Sequence, residues 1–412
     1  MAKLKPFRAI RPTRDKAHLV ATRPVATYKE NVLKAKLETN PYSFIHIINP
    51  EFGEIVKTKP NSKERFENVK KQFDEFCTKK ILLQDEEEHL YLYQQTKDGH
   101  EYLGIIAGAS VEEYNQGLIK KHEATLTSRE AMFTMYLDIV GFNAEPVLLS
   151  YPHNDALEQE YALIKKSRPE FEFSTTDKIK HELWQLSKEE TEKILSLFEQ
   201  IPASYIADGH HRSASSARLS QILDERNGQH DYKNHHYFLA FLIDEERLHI
   251  LEFNRLVKSL KTLTEETLLE QLQEHFEIQE IAGPQCPERE HQFAMNLKNK
   301  WYLLDCKPEL IDNTHPVSCL DPEILTQRIL TPLLGIEDLR IDDNIEFISG
   351  NLGLEAIAEP IREQKAELGF ILFPLTMEQV KRVADHQMIM PPKSTWVEPK
   401  LRSGLTIYNI KE

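Results

Sequence analysis

Three times in the first half of this chain a Ser or Thr stands three residues ahead of a Glu and opens a helix-compatible run: Ser110-Val-Glu-Glu113, Thr127-Ser-Arg-Glu130 and Ser187-Lys-Glu-Glu190. In such a capping box the two side chains take up backbone N–H groups that the first helical turn leaves without acceptors. Each box predicts a helix start: from 110 towards Lys120-Lys-His-Glu123, from 127 through Asp138, and from 187 to near Gln200. An amphipathic pattern predicts a further helix over 63–80. Strand-like apolar runs lie between them, at Ser43–Ile48, His89–Gln95, Tyr102–Ala107, Glu145–Tyr151 and Ala203–Ala207. Lys97-Asp-Gly-His is a hairpin signal between the second and third of these. A second hairpin is expected from His236–Ile243 and Leu248–Phe253, and a third around Lys298-Asn299. Helices are expected at 264–275, from Asp321, at 352–365 and at 376–385, with strands at 345–349, 369–373 and 405–410. Helices mixed with hairpins argue for α+β sheets rather than one doubly wound parallel sheet.

At 412 residues the chain exceeds what one hydrophobic core organises. The expected division is an N-terminal α+β segment over 1–115, a core over 116–260 and a C-terminal α+β segment over 261–412. With 40% apolar and 28% charged residues the composition is that of a soluble globular protein. The net charge of −15 gives no broad basic surface for nucleic acid, although a local basic pocket for a small anion stays open. Cys77, Cys286, Cys306 and Cys319 are scattered and form no C-x-x-C pair, which fits reduced thiols and a cytoplasmic location. The start, Met1-Ala-Lys-Leu-Lys-Pro-Phe-Arg, lacks the apolar run of a signal peptide, and no stretch reaches the roughly 18 apolar residues of a membrane span.

The densest chemistry is Tyr205-Ile-Ala-Asp-Gly-His-His-Arg212. If Ala203–Ala207 is a strand and Ser213–Arg226 a helix, Gly209, His210, His211 and Arg212 occupy a strand-to-helix turn. Backbone N–H groups at a helix start point outward and the helix dipole favours an anion there. Gly209 lets the backbone approach a ligand, and Arg212 can clamp phosphate oxygens. Asp208 can bind Mg²⁺ through water, orient a His or cap the helix. There is no P-loop, Rossmann, zincin or nucleophile-elbow motif.

Asp208-Gly-His-His-Arg212 resembles the phosphate-binding turn of the ParB/sulfiredoxin-like superfamily, which includes free-serine kinases. Over the whole chain the sequence resembles the domain-of-unknown-function family 1015. Four stretches carry that likeness: Pro6-Phe-Arg-Ala-Ile-Arg-Pro12, Lys120-Lys-His-Glu123, Ala207–Arg212, and Met390-Pro-Pro-Lys-Ser-Thr-Trp-Val-Glu-Pro-Lys400 with Ser403-Gly-Leu405. The resemblance implies a ParB/sulfiredoxin-like mixed core with added N- and C-terminal segments. Sulfiredoxin-like enzymes carry a catalytic Cys in this turn and this chain has none, which disfavours sulfinic acid repair.

The resulting expectation is a kinase that transfers a phosphoryl group from ATP or ADP, with Mg²⁺, to the hydroxyl of a small metabolite, free L-serine first. Glu123, with His122 beside it, is the candidate for orienting the hydroxyl, as free-serine kinases use a Glu upstream of the turn. Asp208 and His210 complete the catalytic set, and Gly209, His211 and Arg212 cradle phosphate. The stretch Met390–Gly404 reads as a stiff, cation-rich loop. In it Lys393 and Lys400 are assigned to phosphate or a substrate carboxylate, with Ser394, Thr395 and Arg402 near the substrate. Arg8, Arg11 and Arg255 are left between anion contact and salt bridge, and His235-His236 is read as a structural strand start. The alternatives are a nucleotide-switched, ParB-like binding protein and a phosphatase or nucleotide hydrolase, and a homodimer is left open.

Overall fold

A computed structural model describes residues 3–228 and 233–412. The fold is α+β, and it forms two compact units, neither of them one continuous stretch. The first unit takes the described residues of Met1–Lys121, Thr125–Leu248 and Pro399–Glu412; the second takes His122–Ala124 and His249–Glu398. The boundary expected at 115/116 falls inside the first unit, and that at 260/261 inside the second.

The first unit is built on a nine-stranded sheet from β1 (Leu4–Lys5), β2 (Tyr91–Lys97), β3 (His100–Ser110), β4 (Ile119–Lys120), β5 (Val147–Tyr151), β6 (Phe171–Ser174), β7 (Lys180–Gln185), β8 (Ser204–Asp208) and β9 (Tyr237–Asp244). The order is β4-β8-β5-β9-β3-β2-β7-β6, with β1 beside β3. Pairing is antiparallel except for β8 on β4 and β9 on β5. The hairpin β2–β3 forms as its Asp-Gly turn predicts. Leu92, Ile105, Leu149, Ile206 and Leu242 of the sheet share one core with Ile194 and Phe198 of the helix Lys188–Phe198. Full burial of such side chains stabilises by about 1.5–3 kcal/mol each. The helix starts at Ser187 with the predicted capping box complete. A second cluster joins α1 (Lys63–Thr78) to the segment before it, where Phe73 stacks on Phe142 at 4.1 Å.

The second unit carries a seven-stranded sheet of β10 (His249–Val257), β11 (Phe276–Ile281), β12 (Gln292–Leu297), β13 (Lys300–Cys306), β14 (Ile345–Ser349), β15 (Leu368–Ile371) and β16 (Thr395–Glu398). The order is β11-β13-β12-β15-β10-β14, with β16 also on β10, and every pair is antiparallel. Leu268 and Leu272 from the helix Glu265–Leu272 cover one face, and Ile357 and Ile361 from Glu355–Arg362 cover the other. Among the described residues no helix is long and apolar enough to cross a membrane.

Four expectations are corrected. Ser43–Ile48 is not a strand but ends in a single helical turn, Ile45–Ile48. The helix opened by Ser110 stops at Asn115, because Gly117 at φ +74° closes it with Leu118 N–H bonded to Glu113 O at 2.9 Å. Lys120 therefore lies on β4 and not at a helix end. The strands β9 and β10 exist, but they are not a hairpin: β9 pairs with β3 and β5, and β10 with β14, β15 and β16. Met390–Gly404 is not irregular throughout, since β16 occupies its middle.

Candidate functional site

Strand β8 delivers Asp208 to the site through a bulge. Ile206 lies opposite Leu149 and Asp208 opposite Leu148, so two residues of β8 advance against one of β5. Such bulges re-aim a side chain at the end of a ladder. Gly209 follows at φ +105°, ψ 26°, in left-handed territory that glycine enters without strain. It is the N-cap of α2 (His210–Asn227), three residues earlier than the sequence pattern predicts. No side chain caps this helix, whereas Ser62, Ser187 and Thr376 each cap theirs. The positive dipole end of α2 favours an anion at this turn.

Arg212 lies back across the turn, so close that a Cβ at Gly209 would meet its Nε at 3.0 Å. Its Nη1 donates to Glu145 Oε1 at 2.5 Å and to Pro146 O at 2.8 Å, and Nη2 is 3.7 Å from Asp208 Oδ1. Lys400 Nζ donates to Asp208 Oδ2 at 2.8 Å, closing a span of 192 residues. Burial opposes the Asp208 charge, but Lys400 and Arg212 outweigh it and hold the carboxyl down at about 2. His210 is buried and lowers it further; His211 is half-buried, and their carbonyls accept from Ser213 Oγ (3.0 Å) and Ser215 Oγ (2.6 Å). Lys120 stands opposite Tyr205 on the parallel neighbour of β8, so both strands end at the same edge, where open α/β sheets bind ligands.

Two residues of this site have no clear signal in the sequence. Glu145 holds Arg212 with one oxygen and accepts from Ser403 Oγ (3.2 Å) with the other. Next to Arg212 and Glu145 opens a cavity of about 240 Å³, with Phe133, Tyr136, Phe142 and Phe238 in its wall. A cavity of about 150 Å³ holds benzene, so this one takes a larger ring system. Asp177 is the other. Arg402, expected at the substrate, is buried and donates to Asp177 at 2.9 and 2.8 Å and to Thr175 Oγ1 at 3.1 Å, which is a structural position.

Of the remaining expected residues, Arg8 and Arg11 lie in the first unit and the others in the second. His122 is buried and its carbonyl accepts from Met390 N–H at 2.9 Å; Glu123 is half-buried. Lys393 is exposed, with its ammonium 5.5 Å from the Phe253 ring centre. Ser394 Oγ donates to Pro391 O at 2.7 Å, and Thr395 begins β16. Arg255 is fully buried, which pushes its guanidinium down to about 9; it lies 4.6 Å over the Phe347 ring. Arg8 pairs with Glu412, and Arg11 with Asp85 and Glu170, so both are salt-bridge residues.

For Mg²⁺ the turn offers one carboxylate, that of Asp208. Asp208 already carries Lys400 and Arg212, and among the described residues it joins no cluster of three ligating side chains. That does not make a self-standing cage, but one carboxylate oxygen suits an ion that arrives with phosphates and keeps its waters.

No curated protein matches this sequence. Among solved structures, a free serine kinase in complex with AMP is 14% identical, covers 73% of this chain and 91% of its own, and has a TM-score of 0.36. SbnI with a C-terminal truncation, from Staphylococcus aureus, is 11% identical, with 73% and 85% covered and a TM-score of 0.39. A conserved hypothetical protein from Pyrococcus furiosus gives 14%, 73%, 94% and 0.35. Values this low carry no residue's role from those proteins to this one. A family model, in contrast, matches residues 4–323, most of the chain and the Lys120–Glu123 and Asp208–Arg212 stretches with it: this protein belongs to the family described as protein of unknown function (DUF1015).

Proposed function

We propose that the Asp208–Arg212 turn binds the phosphates of an adenine nucleotide, ATP or ADP, and that the protein transfers a phosphoryl group to a small hydroxylated metabolite, free L-serine first. The observation that carries this reading is the uncapped start of α2 at Gly209, flanked by Lys400 and Arg212. Backbone donors, a dipole end and two cations converge there in a chain of net charge −15. The likeness of Asp208-Gly-His-His-Arg212 to the ParB/sulfiredoxin-like turn supports the same assignment.

In this mechanism the N–H groups of Gly209 to His211 hold phosphate oxygens, and Lys400 and Arg212 neutralise the charge that spreads over them. The aromatic cavity beside Arg212 receives the base. Mg²⁺ arriving with the nucleotide supplies further charge neutralisation, and Asp208 offers it one oxygen. Glu123 accepts the proton of the acceptor hydroxyl as its oxygen bonds to phosphorus and the bond to the leaving nucleotide breaks. Lys393, Ser394 and Thr395, all in the second unit, take no part in this reading.

The test is phosphorus NMR of the purified protein with Mg²⁺, ATP or ADP, and a pool of hydroxylated amino acids including L-serine. A new phosphomonoester signal, lost in Asp208→Asn and Arg212→Ala, is the expected result. Free phosphate that forms without an acceptor would make the protein a hydrolase. Nucleotide binding without turnover would make it a switch, and no binding at all would refute the phosphate cradle itself.

A further inference from the structure

Far along α2 from the nucleotide turn, three side chains converge on one point. Asp224 Oδ1 lies 2.8 Å from His235 Nε2 and 2.9 Å from His236 Nε2. The two histidines do not begin β9, where neighbouring side chains would point to opposite faces. They sit in a single 3₁₀ turn, Asn234–His236, just before it. That turn brings their rings to 4.4 Å between centres with 60° between planes. The donor atoms of all three residues lie within 4.8 Å of one another.

We propose that Asp224, His235 and His236 form a site for a divalent transition-metal ion, zinc first, that fastens the far end of α2 to the start of β9. Two imidazoles and one carboxylate are a borderline donor set. It favours zinc, cobalt, nickel or copper over the hard ions magnesium and calcium. Bonds of about 2.0–2.1 Å in a tetrahedron put donor atoms about 3.3 Å apart, so the two imidazole nitrogens need to withdraw from Asp224 by only about 0.4–0.5 Å. Side-chain rotations supply that much movement. The three side chains keep 25%, 11% and 24% of their surface, enclosed yet reachable, with room for water as fourth ligand. On metal binding the proton on each Nε2 leaves for Nδ1 of the same ring, and neutral imidazoles become ligands with no net change in charge.

The geometry also separates this site from the nucleotide turn. Fifteen helical residues, at 1.5 Å each, put Asp224 about 22 Å from Gly209 along α2. The ion is therefore structural: it sets where α2 points and has no step in phosphoryl transfer.

The experiment uses the full chain after treatment with a chelator, titrated with Zn²⁺ alone by calorimetry and with Co²⁺ alone by absorption. One Zn²⁺ per chain is expected, with a dissociation constant of about 10 µM or tighter. The thermal midpoint rises by several degrees at about a hundredfold excess over that constant. Co²⁺ should give the visible bands of a four- or five-coordinate nitrogen–oxygen site. Asp224→Asn and the double variant His235→Gln/His236→Gln should lose the ion and the thermal shift. His153→Gln, which alters the other carboxylate–histidine cluster of this unit (His153, Asp244, Glu246), should keep both. The wild-type Co²⁺ spectrum and stoichiometry decide the matter even if a variant misfolds. Absence of Zn²⁺ binding to the wild type, six-coordinate Co²⁺ bands, or binding unchanged in the double variant would each overturn the proposal.

Discussion

The stretch Pro399–Glu412 returns to the first unit and delivers two cations to two aspartates, with different results. Lys400 meets Asp208 at an uncapped helix start, where the carboxylate keeps 38% of its side-chain surface. Arg402 meets Asp177 with 3% of its own surface left, packed beside His181, Tyr93 and Thr175. Both aspartates are held down at about 2, so the charge states do not tell the sites apart. Surroundings do. Around Asp177 several polar groups meet one another inside the protein: Tyr93 Oη lies 2.7 Å from His181 Nδ1, and Thr175 Oγ1 3.3 Å from its Nε2. Beside Asp208 lies the positive end of α2, whose N-cap Gly209 has no side chain to cap it. The first pair serves stability, and the second keeps binding capacity in reserve.

The contrast should be sharpest in stability. Arg402→Met removes the buried partner of Asp177 and leaves it only the more distant Arg23 at 3.7 Å; breaking a fully buried pair costs about 3–5 kcal/mol, and this partly buried one should cost about 2 kcal/mol or more. Urea unfolding followed by fluorescence should show that loss, and an unchanged midpoint would remove the distinction between the two pairs. Lys400→Met should do the reverse. Its pair with Asp208 keeps 25% and 38% of its side-chain surface in solvent and contributes about 1 kcal/mol to stability. Phosphoryl transfer, however, should fall about a hundredfold, the usual cost of losing one group that stabilises transition-state charge. Equal losses of stability in the two variants would break the comparison from the other side.

Acid also weakens the fold, and the sign follows from two groups, the partly buried Asp177 and the buried His181. Asp177 has a depressed value in the fold, against desolvation, because Thr175 and Arg402 bind its charged form. Its contribution, about 2 kcal/mol, is present above the unfolded value near 4 and disappears as pH falls through about 2. His181, fully buried, is pushed down to about 3 by desolvation and by the charge of Arg402. It stays neutral in the fold, so stability declines as pH drops below about 6.5, where the unfolded chain gains a proton that the native one refuses. Stability measured from pH 7 to 2 should fall in both windows. His181→Gln should flatten only the upper one, and a profile unchanged by that substitution would contradict its assignment.

Much of the candidate site was legible because its geometry is local. Asp208-Gly-His-His-Arg212 after an apolar run specifies a strand, a glycine turn and a helix start, and those are the observed elements. Ser187-Lys-Glu-Glu190 fixes its helix start in the same way, since both partners of the box lie within one turn. The helix from Ser110 is shorter than its start signal suggests because Gly117 stops it, and Leu118-Ile119 after it is apolar enough for the short strand β4. No local signal marks Glu145 as the brace of Arg212, 67 residues away, or Asp177 as the partner of Arg402, 225 residues away.

The sequence by itself determined what a few neighbouring residues can settle: the capped helix at Ser187, the two-residue hairpins, the phosphate-type turn after β8, and membership of the family. Tertiary structure decided which strands pair and which charges meet. The strands β9 and β10 follow each other directly, yet each pairs with strands of a different sheet, because hydrogen-bond partners along an open edge are chosen by long-range packing. Lys400 and Arg402 are two residues apart, yet one faces a helix start and the other a closed polar cluster. A cation's role depends on what lies within a few ångströms of it, and here those neighbours come from distant parts of the chain.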